Sequence, residues 1–370
     1  MAPLTVLFAP DSFKGSLTSV EVAGALADGW ARARPDDVLV LSPLADGGEG
    51  TLVAIAAAGG WEWRTVVASD PLGRPVEARW LISLDGTRGV VELAEASGLS
   101  RLAPAERDPL GASTAGTGEV LRAALDAGVR RITLGIGGSA TSDGGAGILR
   151  ALGVSFPEAG LTADLSGLDA RLADVDLRIA CDVTNPLLGE RGAAATYGPQ
   201  KGATPDQIRE LDAKLATYAD ALESATGRRE RETPGAGAAG GTGFGLLALR
   251  DRFRSLELIP GVELVMDETD LAGKLVQADL AITGEGRIDE QTAFGKTALG
   301  VARRASQAGV ACIAVGGGVT PEGVSALEPL GVVVVPVAEQ PQTVEEAMNA
   351  GVAPVVRCGE RLARLVGLLQ

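Results

Sequence analysis

A glycine-rich loop with interleaved hydroxyls and one carboxylate lies at residues 135–147, with the sequence GIGGSATSDGGAG. It follows a strand-like run at 131–134 and precedes a helix-like run at 148–152. Glycine lets the backbone reach positive φ and approach a ligand closely, so successive N–H groups can cradle an anion. A tight turn alone would explain the glycines but not the hydroxyls or Asp143. The loop therefore predicts a phosphate site, and it is no P-loop because the chain has no GxxxxGK[ST] pattern.

The composition restricts the class of protein. The chain has 370 residues, 46% hydrophobic residues and a net charge of −15, which indicates folded domains and disfavours nucleic acid or an anionic membrane as a partner. No apolar run approaches the ~20 residues that span a bilayer. The three cysteines, Cys181, Cys312 and Cys358, have no CxxC spacing, so neither a disulfide framework nor a zinc site is indicated. We expect a protein of the reducing cytoplasm.

Histidine is absent from the chain. This removes the commonest general base and the commonest transition-metal ligand, so acid–base chemistry must fall to Asp, Glu, Lys, Tyr or Cys. A catalytic metal would then be a hard ion held by oxygen atoms, such as Mg²⁺.

Lysine is scarce, with arginine supplying 28 of the 33 basic residues. Three of the lysines, Lys14, Lys201 and Lys296, lie in the glycine-containing motifs DSFKGS, GPQKGA and FGKT. An ammonium is a mobile point charge suited to a phosphoryl group. These three lysines are therefore candidates for binding phosphate. The alternative is that each is a solvated surface lysine beside a turn glycine.

Short apolar runs alternate with helical periodicity at both ends of the chain, which predicts a parallel sheet. The predicted strands lie near 4–8, 38–42, 278–283, 310–315 and 331–335, and a last helix is predicted near 343–368. Five strands are typical of a flavodoxin-like sheet. We expect an α/β protein with a flavodoxin-like domain at 1–75 and 275–370 and a second, dissimilar α/β domain inserted at 76–274, beginning with hairpins near 76–93.

Polar motifs follow several of the predicted strands. They are APDSFKG at 9–15, PLADGGEG at 43–50 and GEGRID at 284–289, while Asp182 ends the run at 177–180. Open α/β sheets bind ligands at the carboxyl ends of their strands. Polar chemistry is therefore expected at these ends, and loops of this kind in both domains suggest a cleft that closes on its substrate.

At these motifs the sequence resembles the glycerate kinase family of the bacterial type. Further matching stretches include ELAEASGL at 92–99, CDVTNPLLG at 181–189, GPQKGAT at 198–204 and ADLAITGEGRIDEQTAFGKTALGVA at 278–302. The resemblance implies two dissimilar α/β domains and transfer of the ATP γ-phosphoryl group to a hydroxyl of D-glycerate. It implies 2-phosphoglycerate as the product, with 3-phosphoglycerate as the alternative.

We assign the following roles to residues of these motifs as hypotheses. The ATP-phosphate site would comprise Gly137, Gly138, Ser139 and Asp143, with the backbone N–H groups of Gly137 to Ser139 on the phosphates. Asp143 or Asp46 would hold Mg²⁺. The catalytic residues would be Lys14 and Lys296, which neutralise transferring charge, and Asp182, which accepts the hydroxyl proton. The substrate-binding residues would be Asp11, Ser12, Asp46, Glu49, Lys201, Glu285 and Arg287, of which Arg287 would hold the glycerate carboxylate.

Two other functions remain open at this point. A nucleotide-dependent dehydrogenase would also use glycine-rich turns, but no GxGxxG pattern follows the first strand. A non-catalytic sensor of a small hydroxy acid would bind its ligand without turnover. The oligomeric state and the preferred hydroxy acid are left open, including whether the chain forms a homo-oligomer.

Overall fold

The computed structural model describes residues 2–157, 162–294 and 297–368, apart from the side chains of Ala293 and Phe294. The strands are β1 (Thr5–Pro10), β2 (Val38–Leu41), β3 (Trp61–Ser69), β4 (Pro75–Ser83), β5 (Arg88–Glu92), β6 (Arg131–Gly135), β7 (Asp176–Ala180), β8 (Ser255–Ile259), β9 (Leu280–Ile288), β10 (Ala311–Val319) and β11 (Val333–Pro336).

The α-helices alternate with these strands over much of the chain. They are α1 (Ser19–Ala33), α2 (Thr51–Ala57), α3 (Ala94–Ser97), α4 (Ala115–Asp126), α5 (Ala146–Ala151), α6 (Ala193–Tyr197), α7 (Pro205–Thr226), α8 (Ala238–Ala248), α9 (Gly261–Glu268), α10 (Leu271–Val276), α11 (Thr297–Ala308), α12 (Pro321–Leu327), α13 (Val344–Asn349) and α14 (Ala353–Leu368). No helix in the described part of the chain is long and apolar enough to cross a membrane.

The chain forms two compact units. The first comprises Met1–Asp46, Val53–Gly59 and Val262–Gln370, and the second comprises Gly47–Leu52 and Gly60–Gly261. These limits differ from the predicted boundaries at 75 and 275. The difference arises because β3 pairs with β4 along its whole length, which carries residues 61–69 into the second unit, while α9 and α10 belong to the first.

The first unit contains a five-stranded sheet in the order β2-β1-β9-β10-β11, with every pair parallel. This is the flavodoxin order, and the predicted flavodoxin-like sheet is confirmed. The interior strand β1 is buried on both faces, so its sequence is the continuous apolar run of Val6, Leu7, Phe8 and Ala9. The order of the strands reverses between β1 and β9, which is where ligands bind in such sheets.

The second unit contains a six-stranded mixed sheet in the order β3-β4-β5-β6-β7-β8. The strands β3, β4 and β5 pair antiparallel, and the β4–β5 pair confirms the hairpin predicted near 76–93, while β5 to β8 are parallel. The register aligns Glu92, Gly135, Ala180 and Ile259 across the four parallel strands. Four consecutive strand ends therefore lie at one edge of this sheet, and the glycine-rich loop leaves from one of them.

The predicted C-terminal helix is two helices. The first, α13, ends at Asn349 and α14 begins at Ala353, with Gly351 at φ +62° between them. A left-handed residue cannot continue a right-handed helix, so the chain breaks there. The second of these helices packs on α1 in the first unit.

Close contact between α1 and α14 depends on Gly29. A Cβ at this position would lie 1.9 Å from the carbonyl oxygen of Val356, whereas a Cβ at Gly24 in the same helix would have no atom within 4 Å. We expect Gly29→Ala to lower the free energy of unfolding by about 1–3 kcal/mol through overpacking. The matched change Gly24→Ala should raise it by about 0.5–1 kcal/mol because alanine favours helix.

Urea unfolding of the two variants and the wild type measures both effects. Equal stabilities for the two variants would contradict the close helix crossing at Gly29.

Candidate active site

At the sheet edge of the first unit, Asp11 lies directly after β1. Its Oδ2 accepts a hydrogen bond of 2.5 Å from Thr297 Oγ1, and its Oδ1 accepts one of 2.6 Å from the Ser12 N–H. Burial raises the pKa of the half-buried Asp11 carboxyl, against these hydrogen bonds, and the negative charge of Asp46 adds to the increase. Asp11 and Asp46 are therefore two acidic side chains that repel each other, and Asp11 lies where the strand order reverses.

Glu285 lies on β9 at the same sheet edge and is only 7% exposed. It accepts a hydrogen bond of 2.9 Å from the buried Thr292 hydroxyl. Arg287, two residues further on, has an exposed guanidinium that pairs with Asp289 at 3.2 Å. The strand thus carries one buried and one exposed candidate substrate residue.

The other predicted site residues of the first and last parts of the sequence differ in exposure and in the unit to which they belong. Lys14, Asp46 and Glu49 are exposed, and Glu49 belongs to the second unit while the other two belong to the first. Lys296 lies outside the described residues. Its neighbour Thr297, which sequence reasoning passed over in the FGKT motif, provides the hydroxyl that holds Asp11.

In the second unit, the glycine-rich loop carries backbone donors that have no partner among the described residues. Among the described residues, the N–H groups of Gly137, Gly138 and Ser139 have no hydrogen-bond acceptor in the protein. Gly137 is half-buried and Gly138 is exposed, with φ at +71°. Three successive donors beside a left-handed glycine form an arrangement that suits an anion.

Asp143 is occupied by hydrogen bonds within the protein. Its Oδ2 accepts from the Thr114 N–H at 2.9 Å, the Thr114 hydroxyl at 2.9 Å and the Gly147 N–H at 3.0 Å, and its Oδ1 accepts from the Gly145 N–H at 3.1 Å. Thr114 in turn accepts from the Ile148 N–H at 3.0 Å. This carboxylate therefore joins the start of α4 to the start of α5. It acts as a capping side chain for the backbone N–H groups there.

Lys201 lies inside the second unit and is 1% exposed. Its ammonium donates to Ser139 Oγ at 3.0 Å and to the Thr141 carbonyl oxygen. Burial lowers the pKa of Lys201 to about 7, and the Asp143 carboxylate acts in the opposite direction. The residue predicted to bind substrate thus contacts the glycine-rich loop from within the protein.

Asp182 follows β7 and is exposed. Its Oδ1 accepts a hydrogen bond of 3.0 Å from the Gly261 N–H. The residue therefore stands at the same edge of the second sheet as the glycine-rich loop, since β6 and β7 are adjacent and parallel.

Glu92 is a candidate that sequence reasoning did not select, although it opens the ELAEASGL motif. It ends β5, is 4% exposed, and accepts hydrogen bonds from the Gly50 N–H at 3.1 Å and the Leu52 N–H at 3.2 Å. Burial raises the pKa of Glu92 from its ordinary 4.5 to about 7, with smaller increases from Glu95 and Glu49. The sequence feature that could have identified Glu92 is a glutamate at the end of a buried apolar strand.

A metal site is not pre-assembled in the parts of the chain that the structure describes. No group of three or more His, Cys, Asp or Glu side chains is arranged there to hold a metal ion. Mg²⁺ in phosphoryl-transfer sites is held by one or two carboxylates together with phosphates of the substrate, so two acidic groups are enough. Asp46 and Asp11 fit this pattern, while the four hydrogen bonds to Asp143 disfavour it.

The fold and the two polar sheet edges are those of a two-domain α/β phosphotransferase without a P-loop. The sequence profile of the glycerate kinase family matches residues 6–367. The chain belongs to the glycerate kinase family, and the predicted family and enzyme class are confirmed.

Relatives support the same family membership. The chain is 48% identical over 327 residues to a glycerate kinase of Halalkalibacterium halodurans, covering 85% of each chain. It is 43% identical over 331 residues to the glycerate 2-kinase of Escherichia coli K12, covering 86% of each. A crystal structure with the name glycerate kinase 2, from Salmonella typhimurium LT2, superposes with a TM-score of 0.86 at 41% identity and 99% coverage of both chains.

The buried Glu92 predicts a specific pH dependence of stability. Between pH 4.5 and about 7 the folded protein keeps a proton on Glu92 that the unfolded chain has lost, so this group lowers the stability as the pH rises. Glu92→Gln removes the titration. We expect the stability of Glu92→Gln relative to wild type to increase by up to about 3 kcal/mol between about pH 5 and about pH 8.

Urea unfolding of both proteins at the two pH values measures this difference, and other titrating groups cancel in the comparison. A pH-independent difference would contradict the raised pKa of Glu92.

Proposed function

We propose that this chain transfers the γ-phosphoryl group of ATP to the 2-hydroxyl of D-glycerate and forms 2-phosphoglycerate. The observation that carries the proposal is the set of three acceptor-less N–H groups at Gly137, Gly138 and Ser139, placed at the carboxyl end of a parallel strand. The relative named glycerate 2-kinase, at 43% identity, supports the choice of hydroxyl.

The second unit provides the proposed phosphate donors and the base. The amides of the loop would bind phosphate oxygens by hydrogen bonds that cost little reorganisation, because the loop is already held in place. The Asp182 carboxylate would accept the proton of the attacking hydroxyl. Its exposure and its position at the edge shared with the loop support this role.

The first unit provides the proposed cations and substrate contacts. Lys14 and Lys296 would neutralise the charge of the transferring group, and Arg287 would hold the glycerate carboxylate as a bidentate partner. Asp11, Ser12, Glu285 and Glu49 remain proposed substrate contacts. Binding of both substrates in a cleft between the domains stays a prediction from the sequence.

Magnesium is the proposed counter-ion of the phosphates. Asp46, together with Asp11, would hold it, since the raised pKa of Asp11 beside a second carboxylate is the state that a divalent cation relieves. When bound, the ion would neutralise negative charge on the phosphate oxygens. Asp143 is the less suitable ligand because its oxygens already accept four hydrogen bonds within the protein.

Phosphorus NMR of a reaction with ATP, magnesium chloride and D-glycerate tests the proposed function. We expect ADP and a single phosphate ester, whose coupling to one carbon-bound proton identifies the 2-phosphate. A signal coupled to two such protons would instead identify the 3-phosphate. Binding of glycerate without ADP formation would refute the kinase and favour a sensor.

Lys14→Ala tests the proposed charge neutralisation. Because Lys14 is exposed, its removal should change the free energy of unfolding by no more than about 0.5 kcal/mol. The loss of a transition-state cation should lower kcat by about 10³-fold. Lys214→Ala is the matched control, since Lys214 is an exposed lysine of α7 that pairs with Glu210, and its kcat should equal that of wild type. Full turnover in Lys14→Ala would remove Lys14 from the mechanism.

A further inference from the structure

Lys201 is a buried cation for which the reaction proposed above gives no task. It ends a single 3-10 turn, Pro199–Lys201, that is closed by hydrogen bonds from the Lys201 N–H to Gly198 and from the Gly202 N–H to Pro199. Its side chain is 1% exposed, which excludes direct contact with a solvent-borne substrate in this conformation.

The ammonium contacts only one part of the glycine-rich loop. Its two acceptors are the Ser139 hydroxyl, at 3.0 Å, and the Thr141 carbonyl oxygen. Ser139 directly follows Gly138, and Thr141 lies three residues after Gly138. The N–H groups of Gly137 and Gly138 have no acceptor among the described residues. Lys201 therefore holds the loop at the point where the proposed phosphate donors end.

The other side of the same loop segment is held by backbone pairing. The Leu99 N–H donates to the Gly138 carbonyl oxygen at 2.8 Å, and the Ala140 N–H donates to the Ser97 carbonyl oxygen at 3.0 Å. The loop thus has two supports, a backbone bridge and the ammonium of Lys201. An ammonium has three donors and no acceptor, so it can hold a hydroxyl and a carbonyl oxygen together.

We propose that Lys201 is a positioning residue of the nucleotide site, which bridges Ser139 and Thr141 and thereby holds the amides of Gly137 and Gly138 in the conformation that binds ATP phosphates. The inference rests on the proposed function, since it takes ATP as the ligand of the loop. Lys201 acts through the loop and does not touch the substrate.

The charge of Lys201 should also respond to the ligand. Its pKa is lowered to about 7 by burial, and the charged groups facing this segment are the Asp143 carboxylate and the Arg107 guanidinium, which donates to the Gln200 carbonyl oxygen at 3.3 Å. Nearby phosphates favour the protonated amine. ATP affinity should then fall as the pH rises above about 7, where the unliganded protein loses this proton.

Lys201→Met tests the proposal, because methionine keeps much of the length of the side chain and removes the ammonium. Calorimetric titration with ATP in magnesium chloride should give a Kd at least about 10-fold above that of wild type, as expected for loss of a charged hydrogen-bond donor. The KM for glycerate should stay unchanged, and the fall of ATP affinity above about pH 7 should weaken. Lys214→Met is the matched control and should behave as wild type.

The outcomes separate this inference from the proposed function. Wild-type protein that does not bind ATP would refute the proposed function itself. If folded Lys201→Met binds ATP with the Kd and pH profile of the wild type, the role of Lys201 is overturned. A variant that loses stability without a change in ATP affinity would overturn it as well. Should Lys201→Met not fold, Ser139→Ala removes one of the two acceptors, and unchanged ATP affinity in that variant would equally overturn the proposal.

Discussion

Hydrogen bonding around the glycine-rich loop is the constraint on which the candidate site depends. A loop rich in glycine has a large conformational entropy when unfolded, so it keeps one shape only where fixed partners hold it. Asp143 provides such partners at the C-terminal side of the loop by joining Thr114 to the first turn of α5. Ser97 and Lys201 provide them nearer its N-terminal side. The amides of Gly137, Gly138 and Ser139 lie between the end of β6 and these supports, so they can remain without protein acceptors among the described residues while the backbone on both sides is fixed.

Burial shifts the pKa values of two carboxyl groups at strand ends, Glu92 and Asp11, and of Lys201, which contacts the glycine-rich loop. Glu92 and Asp11 have raised pKa values and Lys201 a lowered one, and in each case desolvation is the largest cause. Each shift makes the neutral form easier to reach, and each group accepts from or donates to loop or backbone atoms at a sheet edge. Perturbed ionisable groups concentrate at functional sites because catalytic and binding groups need pKa values matched to their task.

The sequence predicted the flavodoxin-like sheet because its five strands are short apolar runs separated by helical periodicity. It did not predict β3 as a strand, since Trp61–Ser69 is mostly exposed and lacks a clear alternation of apolar and polar residues. The motifs predicted which strand end each polar residue follows. They could not predict that Asp143 accepts from the Thr114 N–H, or that the Thr297 hydroxyl of the FGKT motif donates to Asp11, because these contacts join segments distant in the sequence.

The comparison of two inward-facing lysines shows why a lysine beside a glycine is ambiguous in a sequence. Lys274 Nζ donates to the Ala58 carbonyl oxygen at 2.9 Å and to Ser42 Oγ at 3.3 Å. Since Ala58 directly follows α2, the ammonium lies at the C-terminal end of that helix, where the helix dipole is negative. Lys201 donates to the same two kinds of acceptor, a carbonyl and a hydroxyl, but both belong to a loop with unused amides. The chemistry of the ammonium is identical in the two places. The difference lies in what the held segment can bind, and for Lys201 that segment is suited to an anion.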